Sequence, residues 1–556
     1  MALGADDLAR LSMLVYQPGF KRAIGNDQHQ SLGAILRKMQ TEGATHDEWT
    51  SDEQFASLIE ALSSNPEVAR LEVVDFSGPD EHFGQTGQNL TLVDNGPERR
   101  EMYVVFRGTG SADEWRDNFE GLYSYDTPAQ KNASDYIDRM MEGREGDWRV
   151  VVSGHSKGGN KAMYAAITNP CVDECYSFDG QGFSTQFFNK YGNEIAARRS
   201  RIHSYNYKGD FVSALLCLPT KDVHFTGSWQ GYMGPGELLN TILRGDGSFL
   251  PKNHAPVSLF VDGSLQALGA ASEPSDYWLT INDFSLWIME NVPEGRQRDM
   301  VSFIAGCIDV SSAASACGGD QKQVIAEFVG DHPEWLGALV GSIIAYPRTA
   351  ELATQLVGTD EDFDGLIDVI KVDGVPVAGV VNFVIYVLIH LMGNGESRPV
   401  MLRRLLSICL GLEVDDEWIG RFEAATGSTE RDIERGVRGT EAVRVMQDEP
   451  RDWTEARRQE LLAIVDAVGA EAWRDATSWD TRRGLEGLAG WISVDGYADN
   501  MGESLRRQVG LNATLREGIG CAFEAAWAHD AGYACAMRHM AREVSAAAAR
   551  LDEILP

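Results

Sequence analysis

Apolar residues recur at helical spacing early in the chain and then gather into short β-rich runs. Leu8, Leu11, Leu14 and Val15 fall on one helical face, so Asp7 to Tyr16 is predicted as an amphipathic helix that Gln17-Pro18-Gly19 stops. Gly33 to Met39 and Ser51 to Leu62 predict two more helices. The second opens on a capping box, Ser51 with Gln54 three residues later. Leu71 to Phe76, Asn89 to Val93 and Met102 to Phe106 then read as strands, separated by turns rich in Gly, Asp and Pro. From there helix and strand alternate: Ala129 to Met141 then Trp148 to Val152, Asn160 to Ile167 then Cys175 to Phe178, Thr185 to Tyr191 then Arg201 to Tyr205. Such alternation predicts an α/β fold with a mostly parallel sheet covered by helices on both faces. In these sheets chemistry sits at the carboxyl ends of the strands, where Ser156, Asp179 and Asp210 fall.

Near residue 280 the alternation stops. Phe284 to Asn291 and Gln297 to Cys307 are predicted helical. Pro333 to Leu356, Leu366 to Val372 and Val375 to Met392 form an apolar helical block, and Met401 to Leu412 follows. Gly427 to Glu460 is dense in mixed charge and reads as a solvated helical connector or exposed helix. Leu461 to Leu555 reads as helical throughout, ending with Met540, Val544, Ala547, Leu551 and Ile554 at helical steps. The expected organisation is an α/β domain over 1–330, an apolar helical segment over 331–425 and an all-α C-terminal domain over 426–556.

Composition narrows the function classes. A chain of 556 residues exceeds one ordinary core, and 43% hydrophobic residues is a globular composition. The formal net charge of −34 argues against binding nucleic-acid backbones or anionic membranes. The 8 cysteines are scattered without a C-x-x-C pair, so neither a disulfide framework nor a zinc site is expected. Asp6 and Asp7 stand where a signal peptide carries basic residues, so a cytoplasmic location is expected, with export by another route left open. Val375 to Met392 is long enough to raise the question of a membrane span. Pro376, Asn382 and His390 within it favour a buried helix.

The stretch Val151 to Met163 carries the most chemistry. A β-branched run ends at Ser153-Gly154, His155-Ser156-Lys157-Gly158-Gly159 follows, and a helix-favouring run begins at Asn160. Strand, Gly-flanked turn and helix form the context of a nucleophile elbow with Ser156 central in G-x-S-x-G. Upstream, a strand ends at Phe106 and Arg107-Gly108-Thr109-Gly110 forms a flexible loop. Thr109 and the N–H of Lys157 are the expected oxyanion donors. Asp179 and Asp210 are both placed to be the acid. Among later histidines, His254 in Lys252-Asn253-His254-Ala255-Pro256 sits in a loop and suits a general base. His224 lies inside a predicted strand and reads as structural, and neither His155 nor His203 is placed to act as base.

The FRGT block (Phe106 to Thr109) with Trp115, Asp117 and Asn118, followed by GHSKGG (Gly154 to Gly159), resembles class 3 lipases among the α/β-hydrolases. It resembles still more the lipase-like Mbeg1-like family, together with Leu11, Leu14 and Tyr16, the F-D-G-x-G-F block (Phe178 to Phe183), a later G-D-x-V and a final histidine. The resemblance covers about residues 1–330. It implies an α/β-hydrolase fold, Asp210 as the acid in preference to Asp179, and His254 as the base. The expected activity is cleavage of small-molecule or lipid carboxylic esters through an acyl-enzyme on Ser156, with no cofactor or metal.

Two regions stay open. Trp229 to Gly247 reads equally as a lid or acyl-binding wall and as a surface helix. Phe523 to Ile554 faintly resembles helical hairpins exported by type VII secretion, but Trp527 is followed by Ala528-His529, so that motif is not met. A second reading is therefore an idle hydrolase-fold scaffold or exported effector whose C-terminal helices bind a protein partner.

Overall fold

A computed structural model describes residues 3–435 apart from 26–28, 48–49, 77–87, 95, 97–98, 110–111, 228–251, 350–351, 353–370, 373–374 and 377–396. Five helices come first: α1 (Ala5–Leu14), α2 (Pro18–Ile24), α3 (Leu32–Glu42), α4 (Asp52–Ser64) and α5 (Pro66–Ala69). The capping box expected at Ser51 opens α4, with Ser51 Oγ accepting from Gln54 N–H and the Gln54 side chain accepting from Ser51 N–H.

A nine-stranded sheet runs in strict sequence order: β1 (Gln30–Ser31), β2 (Glu72–Phe76), β3 (Asn89–Asp94), β4 (Glu101–Phe106), β5 (Arg149–His155), β6 (Val172–Phe178), β7 (Ile202–Tyr207), β8 (Asp222–Thr226) and β9 (Ala271–Ser272). Strands β4 to β8 are parallel to one another, and the remaining pairs are antiparallel. The chain is thus mixed α/β with a mostly parallel central sheet. Both edge strands are only two residues long, which limits their capacity to pair with another chain.

The strand order dictates how the faces are covered. Right-handed crossovers that always step in one direction put every crossover helix on the same face. These are α7 (Pro128–Met141), α8 (Lys157–Thr168), α9 (Thr185–Lys190) and α10 (Gly192–Arg198), preceded by α6 (Ala112–Glu120). Their Ile137, Ala165, Phe187 and Ile195 share a core with Met102, Val104, Val150 and Val152. The opposite face would be bare without the N-terminal helices. Leu11, Leu14, Ile35 and Leu58 cover it, packing with Tyr103, Val105 and Val151. Alternate residues of β4 and β5 therefore serve two different cores.

Further helices follow the sheet: α11 (Asp276–Asn291), α12 (Glu294–Ala316), α13 (Gln321–Asp331), α14 (Pro333–Ala345), α15 (Ser397–Leu410) and α16 (Asp416–Arg435). Gly337 and Gly341 let α14 lie close to α16, since a Cβ on them would meet Phe422 O at 2.7 Å and Thr426 O at 2.9 Å. Among the described residues no helix is long and apolar enough to cross a membrane.

Three expectations change here. The helix predicted over Pro333 to Leu356 ends at Ala345, because Tyr346 precedes Pro347 and takes extended backbone angles. The helices predicted through Leu366 to Val372 and Val375 to Met392 do not include Lys371–Val372 or Val375–Pro376, which pair as antiparallel strands β10 and β11. The described start of the mixed-charge run Gly427 to Glu460 is helical as expected, forming the end of α16, but Thr429 within it is fully buried rather than solvated. The rest of Val375 to Met392, Trp229 to Gly247, and everything from 436 onward, including Leu461 to Leu555 and Phe523 to Ile554, lie outside the described residues.

Candidate active site

Strand β5 ends at His155 and α8 begins at Lys157, leaving Ser156 at the turn with φ 60° and ψ −126°. A non-glycine residue holds that conformation only where its surroundings impose it. Here Ser156 N–H donates to Phe178 O at 2.9 Å, and Ser156 O accepts from Asn160 N–H at 3.1 Å. Two glycines make the turn possible. A Cβ at Gly154 would lie 2.4 Å from the Gly158 carbonyl, and one at Gly158 would lie 2.0 Å from Phe106 O.

Ser156 makes no side-chain cap to its own helix. Its Oγ lies 2.8 Å from His254 Nε2, and His254 Nδ1 lies 2.7 Å from Asp210 Oδ1. The other Asp210 oxygen accepts from Ser213 N–H at 2.7 Å. Ser156, His254 and Asp210 are 3%, 5% and 0% exposed, so this chain of bonds is shielded from water. With Nδ1–H donating to the carboxylate, Nε2 presents its lone pair to the serine hydroxyl.

His254 ends a short helical turn, Lys252–His254. Ser258 Oγ donates to Asn253 O at 2.8 Å, and Val257, Leu259 and Phe260 anchor the following segment in the core under α1. That segment is tied to α1 directly. Arg10 donates to Leu265 O at 2.7 Å and Gln266 O at 2.5 Å, and Leu268 N–H donates to Asp6 Oδ1 at 2.6 Å.

The loop after β4 lies against the elbow. A Cβ at Gly108 would stand 3.1 Å from Ser156 Cβ and 2.0 Å from the Tyr16 hydroxyl. Thr109 Oγ accepts from Asn118 Nδ2 at 3.0 Å, which leaves its own proton free to be donated elsewhere. Two buried lysines of α8 hold this loop and α6. Lys161 Nζ donates to Arg107 O at 3.1 Å and to Glu114 at 3.2 Å, and Lys157 pairs with Asp117. Burial alone would raise the Asp117 carboxyl, but the Lys157 ammonium prevails and holds it below its usual range. Asp117 also accepts from Thr127 Oγ at 2.7 Å and from Ala129 N–H at 3.1 Å, so it joins α6 to the start of α7.

The structure thus brings Ser156, His254, Asp210, the Gly108–Thr109 loop and the first turn of α8 together. It takes Asp179 elsewhere: its Oδ1 accepts from Tyr207 N–H at 2.7 Å, not from His254. His203 and His224 both pair with Asp222 on β7 and β8. The His155 ring lies 4.8 Å from that of His254 at 32°. Tyr16, to which sequence analysis assigns no chemical role, places its hydroxyl 3.2 Å from His155 Nδ1. Among the described residues, no group of three or more His, Cys, Asp or Glu is arranged to hold a metal ion.

Residues 85–223 match the Mbeg1-like family model. The matched segment starts just before β3 and ends within β8, so it holds the FRGT loop, the elbow, Asp179 and Asp210. Tyr16 and His254 lie outside the matched segment. Among solved structures, the crystal structure of M37 lipase is similar over 39% of this chain and 71% of that one, at 16% identity with a TM-score of 0.26. The extracellular lipase LipA from Serratia marcescens is similar over 38% of this chain and 40% of its own, at 16% identity with a TM-score of 0.20. No curated protein matches the chain.

Proposed function

We propose that the protein is a lipase- or esterase-like serine hydrolase of the α/β-hydrolase fold that cleaves carboxylic esters through an acyl-enzyme. One observation carries the reading: the unbroken buried chain from Ser156 Oγ through His254 to Asp210, at 2.8 Å and 2.7 Å. His254 Nε2 takes the Ser156 proton as Oγ attacks the ester carbonyl, and Asp210 stabilises the imidazolium that forms. The negative charge on the carbonyl oxygen is met by the Lys157 N–H, at the positive end of α8, and by Thr109. His254 then gives its proton to the leaving alcohol. Water attacks the acyl-enzyme by the same route and frees Ser156.

The test is labelling with a fluorophosphonate. Wild-type protein is expected to be labelled on Ser156 and Ser156→Ala not at all; an unlabelled wild type would falsify the reading. A series of p-nitrophenyl esters of increasing chain length then separates esterase from lipase, since a preference for short acyl chains marks an esterase.

A further inference from the structure

The loop that carries Asp210 is neither helix nor strand, so its buried backbone groups need partners from elsewhere in the chain. Asp210 Oδ1 faces His254, and its other oxygen accepts from Ser213 N–H at 2.7 Å. Ser213, Ala214 and Leu216 are all buried. Leu216 also has a φ of 68°, a conformation that a non-glycine residue keeps only where its surroundings impose it.

Helix α11 supplies those partners from one face. Its Trp278, Asn282 and Ser285 stand at i, i+4 and i+7, and all are buried. Trp278 Nε1–H donates to Ser213 Oγ at 3.0 Å. Asn282 Nδ2 donates to Ala214 O at 2.8 Å and to Leu216 O at 3.1 Å, while Ser285 Oγ accepts from Leu216 N–H at 3.0 Å. Other positions of α11 meet Tyr346, just past α14. Asp283 accepts from the Tyr346 hydroxyl, and the Trp287 ring lies 5.3 Å from the Tyr346 ring. The helix therefore runs between the acid loop and the C-terminal helices, outside the family match that ends at residue 223.

We propose that α11 is a positioning element of the catalytic triad, in which Trp278, acting through Ser213, keeps the Asp210 carboxylate aimed at His254. This rests on the serine-hydrolase reading. A carboxylate bonded through one oxygen alone can turn about its Cβ–Cγ bond, and a second bond on the other oxygen stops that turn. Here the second bond comes from Ser213 N–H, which stays in place only if the Ser213 backbone does. Trp278 pins that residue by its Oγ, and Asn282 and Ser285 pin the backbone that follows. With this support removed, Asp210 stabilises the His254 imidazolium less as it forms. The first helix after the sheet thus shares in the chemistry without touching the reacting atoms.

The full-length chain tests this through the pH dependence of fluorophosphonate labelling. Trp278→Phe keeps a ring against Phe225, whose centroid is 5.0 Å away, and removes the N–H. It is expected to slow Ser156 labelling about 10-fold. The midpoint of the pH–rate profile should move to lower pH, because a loosened Asp210 supports the His254 proton less. Ser213→Ala removes the acceptor of the same bond and should act alike; it carries the test if Trp278→Phe does not fold. The double variant should be no slower than either single one, since both break one bond. The titratable groups facing Asp210 and His254 are Asp179 and His155, and no variant alters them. Trp287→Leu loosens α11 at Tyr346 instead, and should lower the urea midpoint while the profile stays in place. The proposal is overturned if the profile is unmoved in Trp278→Phe and Ser213→Ala, if Trp287→Leu moves it as far, or if the losses multiply in the double variant. An unlabelled wild type overturns the hydrolase reading as well, whereas a labelled wild type with unmoved variants overturns this proposal alone.

Discussion

A methyl group added at position 108 would strike three groups at once. It would stand 2.0 Å from the Tyr16 hydroxyl, 2.6 Å from His155 O and 3.1 Å from Ser156 Cβ. None of these can retreat easily, since two belong to the elbow and the third is held against it by its hydrogen bond to His155. Gly108→Ala is therefore expected to cost about 1–3 kcal/mol of stability by overpacking, read by urea unfolding. It should also slow Ser156 labelling by more than this loss of folded protein explains. Asp179 makes a second residue-scale prediction. Its folded-state carboxyl is held well above the usual range, so the unfolded chain ionises first as pH rises. The contribution of the protonated group is complete below its unfolded value, about 4, and falls away above it. The Tm of wild type should consequently drop relative to Asp179→Asn as pH is raised from about 4. A difference that stays constant with pH would contradict the raised carboxyl.

Between α6 and α8 the contacts are ionic where most helix pairs are apolar. Glu114 and Asp117 of α6 are buried and meet Lys161 and Lys157 of α8. Lys161 also carries the Arg107 carbonyl, so it fixes the loop that bears Thr109. Lys161→Met should lower kcat by about 10–100-fold with KM within about 2-fold, because an oxyanion donor acts mainly in the transition state. A raised KM with kcat unchanged would instead mean the loop only binds substrate. Lys157→Met should destabilise by about 3–5 kcal/mol, since it strands the Asp117 carboxylate in the interior. These contacts also explain what the chain reveals before it is folded. Helix α7 is legible because Thr127, Pro128 and Gln130 set up its capping box and Tyr136 and Ile137 mark an apolar face. Helix α6 is not, because Asp113-Glu114-Trp115-Arg116-Asp117 reads as a charged loop until its partners on α8 are in place. For the same reason the spacing of strand ends points to Ser156, Asp179 and Asp210, but Tyr16 and His155 gain meaning only through tertiary contact.

On the scale of the whole molecule, the net charge of −34 sets a field that every substrate crosses. Anionic esters should show a kcat/KM that rises with salt as this field is screened, while neutral esters of similar size should not respond. The steady-state rates of a matched ester pair at low and high ionic strength check this. The distribution of the site along the chain has a separate consequence. Its base is carried by a segment that fastens onto α1 across a sequence separation of 255 residues, through Arg10 and Leu265. The elbow and Asp210 leave the ribosome earlier than that fastening can form. At about 5–20 residues per second, roughly 10–50 s pass between synthesis of Arg10 and that of Leu265. During that interval a nascent chain carries its serine without the segment that deprotonates it. Chemical competence should therefore arrive in one step, when the segment past His254 emerges and clasps the helix made first.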